Sequence, residues 1–303
     1  MLLNLREYHR PAAEEGRRGL VRALELLARS GLRTVPLAGG DTLLASADPA
    51  IDAMVDLQGL GLDTMAEEVG PSGPRLRIGA MVTRAALAAV GAGFAPAHGD
   101  RTSQVIVEGA RRWGGSVQRN RATVGGAVAT AAGNDPLVAA LLACDATVVL
   151  FGQTGAPELA LADFLPRRVA VLAAPALITG LIVPLPTDRT GAALEAVDRT
   201  PADAPIVMAA AALEMADGAC IKARLALGGV ADIPLRLPEI ETLLTGQTLT
   251  PDLIASAATR AAELVHPTGD FRGSAEYRRA MVRVLSRRAL RTAWAQVSDK
   301  VTR

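Results

Sequence analysis

The stretch RNRATVGGAVATAAGND, residues 119–135, decides how this chain is read. Gly125 and Gly126 sit in a run of small and β-branched residues. A cation-rich turn (Arg119, Asn120, Arg121) precedes them and one acid, Asp135, follows. Glycines in such company either let a strand corner pack tightly or let backbone approach a ligand. Two further Gly-Gly pairs lie upstream. Gly114–Gly115 follows Arg111, Arg112 and Trp113 rather than a β-rich run, and reads as an ordinary turn. Gly39–Gly40 belongs to AGGD (38–41), between the strand-like RTVPL (33–37) and TLLA, which opens a short helix or loop. Strand, glycine turn and helix start together expose backbone N–H groups to an anion. Two such loops converging would hold the diphosphate of one dinucleotide without any lysine. The competing reading is that both are turns and nothing more.

The chain has 303 residues, enough for two domains. Half of them are apolar and 21% are charged, with a net charge of +1, so the chain folds and carries no basic excess for nucleic acid. Only Lys222 and Lys300 among its 32 basic residues are lysines. Cys144 and Cys220 stand outside any Cys-x-x-Cys or Cys/His cluster. That argues for a reducing, cytoplasmic compartment and against a metal or iron–sulfur site in this chain. MLLNLREYHRP carries charge by position 6 and does not read as a signal peptide. The most membrane-like run, residues 169–187, is interrupted by Pro175, Gly180, Pro184 and Pro186; two buried strands joined by a turn fit it better than a spanning helix.

Leu20, Leu24 and Leu27 have helical spacing within 12–30, closed by Gly31. Residues 52–57 and 75–82 read as strands, Thr83 as the cap of a helix through Ala85–Val90, and 137–152 as a short helix running into a strand. Residues 187–205 are polar and turn-rich. Strands follow at 205–215 and 219–230, then helices at 237–244, from Thr250–Pro251 to about Val265, and from Ser274, with Tyr277, Met281, Val284 and Leu285 on one face. A boundary near 178 separates an N-terminal domain from a module of strands followed by helices.

No G-x-G-x-x-G follows a strand, and no P-loop or G-x-S-x-G occurs. His9, His98 and His266 are scattered and read as structural or surface residues, so no residue is singled out as catalytic. Asp135, between Asn134 and Pro136, suits a helix N-cap and equally an acceptor for ribityl or ribose hydroxyls.

YHRPAAEEGRRGLVRALELLARSGLRTVPLAGGDTLL (8–44) resembles the opening of the FAD-binding medium subunit of molybdenum hydroxylases, the carbon monoxide dehydrogenase and xanthine dehydrogenase-like family. NRATVGGAVATAAGND (120–135) resembles that family's second flavin loop. RTPADAPIVMAAAAL, ARLALGGVADIPLR and GDFRGSAEYRRAMVRVLSRRAL resemble its C-terminal domain. The likeness covers about residues 8–295. It implies an α+β protein: a two-lobed FAD-binding domain of the vanillyl-alcohol oxidase/MurB type over 1–177 (lobes about 1–57 and 58–177), and a carbon monoxide dehydrogenase flavoprotein-like domain over 178–303, an antiparallel sheet plus helices. The flavin would lie between the lobes. Leu37, Ala38, Gly39, Gly40, Asp41, Thr42 and Leu43 would wrap its diphosphate with backbone N–H groups, and Thr123, Val124, Gly125, Gly126 and Ala127 would complete the cradle. Asp135 falls where the family has an acid near the flavin's polar chain. The partners implied are an iron–sulfur small subunit and a molybdopterin large subunit in a dimer of heterotrimers, with NAD, quinone or oxygen as electron acceptor. The sequence departs from the family pattern at Asp41, where an acid adjoins the diphosphate, and at Ala127, which removes a side-chain hydrogen bond. It departs again at Leu194 and Glu195, where an aromatic and a basic or polar residue are usual near the isoalloxazine. Those departures motivate the alternative of a structural subunit that binds flavin weakly or not at all.

Overall fold

A computed structural model describes residues 4–12, 17–71, 73–90, 101–152, 155, 157–200 and 202–301; His98 lies outside them. The chain divides into two compact units that each draw on several sequence segments. The first comprises 1–86, 116–130 and 147–183; the second comprises 87–115, 131–146 and 184–303.

The first unit holds two sheets. Strands β1 (Glu7–His9), β2 (Thr34–Leu37) and β3 (Ala53–Asp56) form a parallel sheet in the order β1-β3-β2. Helix α1 (Arg17–Leu27) packs Ala23, Leu24 and Leu26 into a core with Val55, Leu60, Met81 and Phe151; of the expected stripe Leu24 is fully buried, while Leu20 and Leu27 pack partly buried against it. A single helical turn, α2 (Leu43–Ser46), follows β2. The second sheet has the order β4-β5-β8-β6-β7, with β4 (Met65–Gly70), β5 (Gly73–Gly79), β6 (Thr147–Gly152), β7 (Glu158–Ala160) and β8 (Ala176–Pro184). Thr83 Oγ1 accepts from Ala86 N at 3.1 Å and caps α3 (Arg84–Val90) as expected.

The run 169–187 is not two strands joined by a turn. Its first part ends helix α8 (Leu161–Ala173), and β8 follows. Pro175 is the break between them. Val169 is 71% exposed, so the apolar run includes the solvent face of a helix. Gly180 lies within β8 and serves close packing, since a Cβ there would fall 2.8 Å from the Ile78 carbonyl oxygen.

In the second unit an antiparallel sheet of order β12-β11-β10-β9 combines β9 (Thr190–Val197), β10 (Val207–Ala216), β11 (Ala219–Gly228) and β12 (Leu235–Arg236). Val207, Ala209, Ala211 and Leu213 point to a core shared with α10 (Pro251–Leu264) and α11 (Ala275–Val301). The alternate residues Met208, Ala210 and Ala212 are also buried. Strand periodicity turns them to the opposite face, and α7 (Pro136–Ala143), which packs against β10 and β11, covers it. All eight residues of α7 are buried, as an apolar helix without a polar face requires. Helices α4 (Arg101–Arg111) and α9 (Pro238–Leu244) complete the unit. Thr250 caps α10, with Leu253 N donating to its Oγ1 at 3.1 Å. Strand β9 occupies a segment whose polar, turn-rich composition gave no strand signal. Its pairing with the alanine-rich β10 overrides local preference. The buried stripe of α11 includes Arg278, Val282, Leu285, Ser286, Ala289, Leu290, Ala293 and Val297, so Leu285 alone of the four residues expected on that face is fully buried. Among the described residues, no helix is long and apolar enough to cross a membrane.

A charge network braces this unit. Asp145, at φ +52°, accepts from Arg224 Nε at 2.8 and 2.9 Å and from Arg236 Nη1 at 2.7 Å, and pairs with Lys222 Nζ at 2.7 Å. Glu241 bonds Arg236 through both carboxylate oxygens. Burial alone would raise the Asp145 carboxyl; hydrogen bonds from Arg224 and Lys222 outweigh it and hold the group below the ordinary aspartate value. A pKa lowered by folding contributes stability above the unfolded value, and that stability is lost as pH falls through the folded value. Unfolding midpoints in urea should therefore drop below about pH 4. Asp145→Asn should cost about 2 kcal/mol at neutral pH and flatten that acid limb. Parallel pH curves for the two proteins would show that the network is not an acid-sensitive brace.

Candidate functional site

The two glycine loops of the first unit meet, and they do different things. After β2 the chain turns at Ala38–Gly40, with Gly40 at φ +73°. Leu57 N donates to Leu37 O at 2.9 Å, and Leu44 N to Gly40 O at 3.2 Å, fixing both ends of the turn. A Cβ on Gly39 would stand 1.6 Å from the Arg121 carbonyl oxygen, so only glycine lets this loop rest on the end of α5 (Ser116–Arg121). Among the described residues, the N–H groups of Gly39, Gly40, Thr42 and Leu43 have no protein acceptor. Gly40 is buried, where an unsatisfied N–H costs about 1–3 kcal/mol. A row of such donors on small residues matches a diphosphate in shape and charge. The first loop therefore fits the dinucleotide that the sequence suggests.

The second loop does not supply N–H groups as expected. Residues 124–130 form helix α6 (Val124–Thr130), with Gly125 and Gly126 in its first turn. Val124 N donates to Val82 O at 2.9 Å, Gly125 N to Ala80 O at 2.8 Å, and Ala127 N to Thr123 O at 2.9 Å. Gly126 N donates to Thr123 Oγ1 at 3.1 Å, which is N-cap geometry. A Cβ on Gly125 would lie 2.7 Å from Ala80 Cβ and 2.9 Å from its oxygen. These donors are consumed within the protein because the helix start is packed onto the residues that follow β5. The segment's contribution to the first loop is the Arg121 carbonyl against which Gly39 lies. The Thr-x-x-Gly spacing ahead of α6 is a cap signal that sequence reading passed over.

Asp135 belongs to the second unit. It is 2% exposed, and its Oδ1 accepts from Leu137 N at 3.0 Å and Val138 N at 3.3 Å, so it is the N-cap of α7, with Pro136 at the first helical position. Gly133 just before it is pinned: Gly229 N donates to Gly133 O at 2.7 Å, and a Cβ on Gly133 would lie 2.0 Å from Ala231 O. Leu194 and Glu195 lie on β9, opposite Ala210 and Ala209, with Leu194 buried.

Two arrangements escaped the sequence. At the carboxyl ends of the parallel strands, Asp56 is 2% exposed; it accepts from Gln58 N at 2.8 Å and from the Tyr8 hydroxyl, with Arg10 Nε 3.7 Å away. The register pairs Asp56 with Leu37, at the start of the first loop. That edge is where ligands of parallel sheets bind, which is the signal that could have found it. The hydrogen bond to Asp56 raises the Tyr8 phenol above its ordinary pKa. The second arrangement, around Arg278, ties three loops of the other unit together. Among the described residues, no group of three or more His, Cys, Asp or Glu side chains is placed to hold a metal ion.

Comparison with known proteins gives these features a family. The model of the FAD binding domain in molybdopterin dehydrogenase matches residues 9–186, and that of the CO dehydrogenase flavoprotein C-terminal domain matches 192–293. The carbon monoxide dehydrogenase medium chain of Afipia carboxidovorans is 32% identical over 97% of this chain and 98% of its own length. The nicotine 6-hydroxylase medium subunit of Paenarthrobacter nicotinovorans is 31% identical over 86% of this chain and 89% of its own. In the solved carbon monoxide dehydrogenase of Hydrogenophaga pseudoflava, one chain superposes with a TM-score of 0.85 at 28% identity, covering 98% of this chain and 99% of that one. The chain therefore belongs to the FAD-binding medium subunits of the molybdenum hydroxylases, as a component of a molybdopterin-dependent oxidoreductase.

Proposed function

We propose that this chain is the electron-exit subunit of a molybdenum hydroxylase, taking electrons from the iron–sulfur clusters of a small partner subunit and delivering them to an external acceptor: NAD, quinone or oxygen. The molybdopterin large subunit would oxidise the substrate, and the whole would assemble as a dimer of heterotrimers. The observation that carries this reading is the set of acceptor-less N–H groups at Gly39, Gly40, Thr42 and Leu43. Bound FAD supplies a redox group that can take electrons one at a time and release them in pairs. In this proposal Leu37–Leu43 hold the diphosphate by backbone donors. Thr123–Ala127 brace that loop from behind, and Asp135 orders the start of α7. The division into an FAD-binding domain (1–177) and a C-terminal domain (178–303) is part of the reading; two successive family-model matches, 9–186 and 192–293, support a two-domain order with the boundary a few residues later. Two buried thiols, Cys144 and Cys220, support a cytoplasmic location.

The structural-subunit alternative rests on Asp41, Ala127, Leu194 and Glu195. Ala127 and Leu194 are 8% and 9% exposed, so neither side chain offers a ligand a polar contact. Titration of the purified chain with FAD separates the two readings. Stoichiometric flavin, reduced when the iron–sulfur partner is added with its clusters already reduced, is the expected result. Failure to retain flavin after reconstitution would leave the structural role. Stopped-flow reoxidation with NAD, a quinone and oxygen in turn identifies the acceptor.

A further inference from the structure

We propose that Tyr8 is a positioning residue for the flavin: its hydroxyl holds the buried Asp56 carboxylate in place, and through it the root of the loop whose N–H groups take the diphosphate. The inference rests on the FAD reading above. Asp56 closes β3 and pairs in register with Leu37, where β2 gives way to that loop. It is 2% exposed, and a carboxylate so buried is costly unless its oxygens are bonded. The two oxygens have separate partners. Oδ1 accepts from Gln58 N at 2.8 Å, which draws residues 56–58 into a tight turn at the start of the 3-10 helix Gln58–Leu60. Between those two residues, Leu57 N donates to Leu37 O at 2.9 Å and ties the turn to the root of the loop. Oδ2 takes the hydroxyl of Tyr8, which lies on β1, 48 residues away in sequence.

Tyr8 does little else. It is 54% exposed, so its ring adds little to a core and its contribution is the oxygen. Arg10 Nε stands 3.7 Å from the same Asp56 oxygen, but the Arg10 side chain is 57% exposed and water screens it. The phenol is therefore the principal partner of Oδ2. The bond raises the phenol's pKa, so the hydroxyl remains a donor at neutral pH. Without that donor the buried charge is under-bonded, and the carboxylate turns toward water. Gln58 N is then released, the turn slackens, and the Leu57–Leu37 bond that sets the loop slackens with it. Asparagine at position 56 keeps the Oδ1 acceptor for Gln58 N and has no charge to draw it outward, so it makes the phenol dispensable.

The test is a double-variant cycle on the full chain, read by FAD titration and by hydrogen exchange at Leu57. Tyr8→Phe should bind FAD about 10-fold more weakly and exchange the Leu57 N–H about 10-fold faster. Asp56→Asn, alone and combined with Tyr8→Phe, should stay within about threefold of wild type in both readings. Wild-type affinity in Tyr8→Phe overturns the inference and leaves the FAD reading intact. Weakened binding with unchanged exchange at Leu57 overturns it too, because the loop's root has not moved. A loss that Asp56→Asn does not restore assigns Tyr8 a merely structural part and has the same consequence. A wild-type chain that takes up no FAD overturns both.

Discussion

Gly39→Val is expected to yield a colourless protein that stays colourless in excess FAD, with its far-UV circular dichroism and the thermal transition of its second unit preserved. The reason is steric and local. The first carbon of any side chain at position 39 would stand 1.6 Å from the Arg121 carbonyl oxygen, well inside contact distance. Arg121 ends α5 and precedes the tightly bonded start of α6, so the obstacle is backbone and cannot swing aside. The 38–43 loop must move away, and with it the donors of Gly39, Gly40, Thr42 and Leu43. Losing two charge-assisted bonds at about 1.5–3 kcal/mol each weakens binding by more than about 100-fold. Gly126→Ala provides the contrast: its nearest obstacle is the Thr123 hydroxyl at 3.0 Å, a side-chain atom that can rotate. It should bind FAD within about tenfold of wild type, a cost near 1 kcal/mol. Isothermal titration of both variants checks the pair. Normal flavin in Gly39→Val with loss in Gly126→Ala would mean that the ligand sits on the second loop and that the first is its brace.

What the sequence revealed, and what it withheld, divides along contact range. Thr83 and Thr250 cap their helices as read, because a cap is settled within four residues. The all-apolar run of α7 could only be interior, and the five family-like motifs pointed to the family. The fate of the N–H groups in the second glycine loop was not legible. Their acceptors, Val82 and Ala80, lie more than forty residues upstream, and glycine composition cannot distinguish backbone pressed against a ligand from backbone pressed against backbone. The question raised by Gly125–Gly126 thus divides: the N–H groups of that pair are taken up within the protein, and those left without a protein acceptor among the described residues lie at Gly39, Gly40, Thr42 and Leu43. Strand β9 was missed because its partner β10, rather than its own residues, makes it a strand. Pro175 was recognised as a break, but a single break cannot say which side is helix.

Arg278 is the least legible residue of consequence, and its replacement by methionine should be the most damaging single change in the second unit. The side chain is buried, yet its partners come from far along the chain. Nη1 donates to Ile206 O and to Gly229 O, each at 2.7 Å, across separations of 72 and 49 residues. Nη2 pairs with Asp270 at 2.7 Å, and Nε donates to Gly273 O at 3.4 Å. The hydrogen bond from Arg278 is the main reason the Asp270 carboxyl sits below the ordinary aspartate value. One guanidinium therefore holds the loops before β10, after β11 and before α11, a task that needs its planar fork. Methionine fills similar volume but takes the guanidinium donor from the buried Ile206 carbonyl and the partly buried Gly229 carbonyl, at about 3 kcal/mol in total. That is a fall in Tm of roughly 6–12 °C for a unit of this size. Arg278→Lys should recover part of it, since an ammonium can reach only some of the acceptors. The loss extends beyond stability, because Gly229 N bonds Gly133 O and thereby steadies the segment that carries Asp135. Hydrogen exchange at Gly229, whose N–H makes that bond, should quicken in Arg278→Met relative to the interior of α10. Unchanged protection at Gly229 in a variant whose Tm has fallen would show that Arg278 holds the Asp270–Gly273 loop alone, and that the start of α7 is ordered by the Asp135 cap without it.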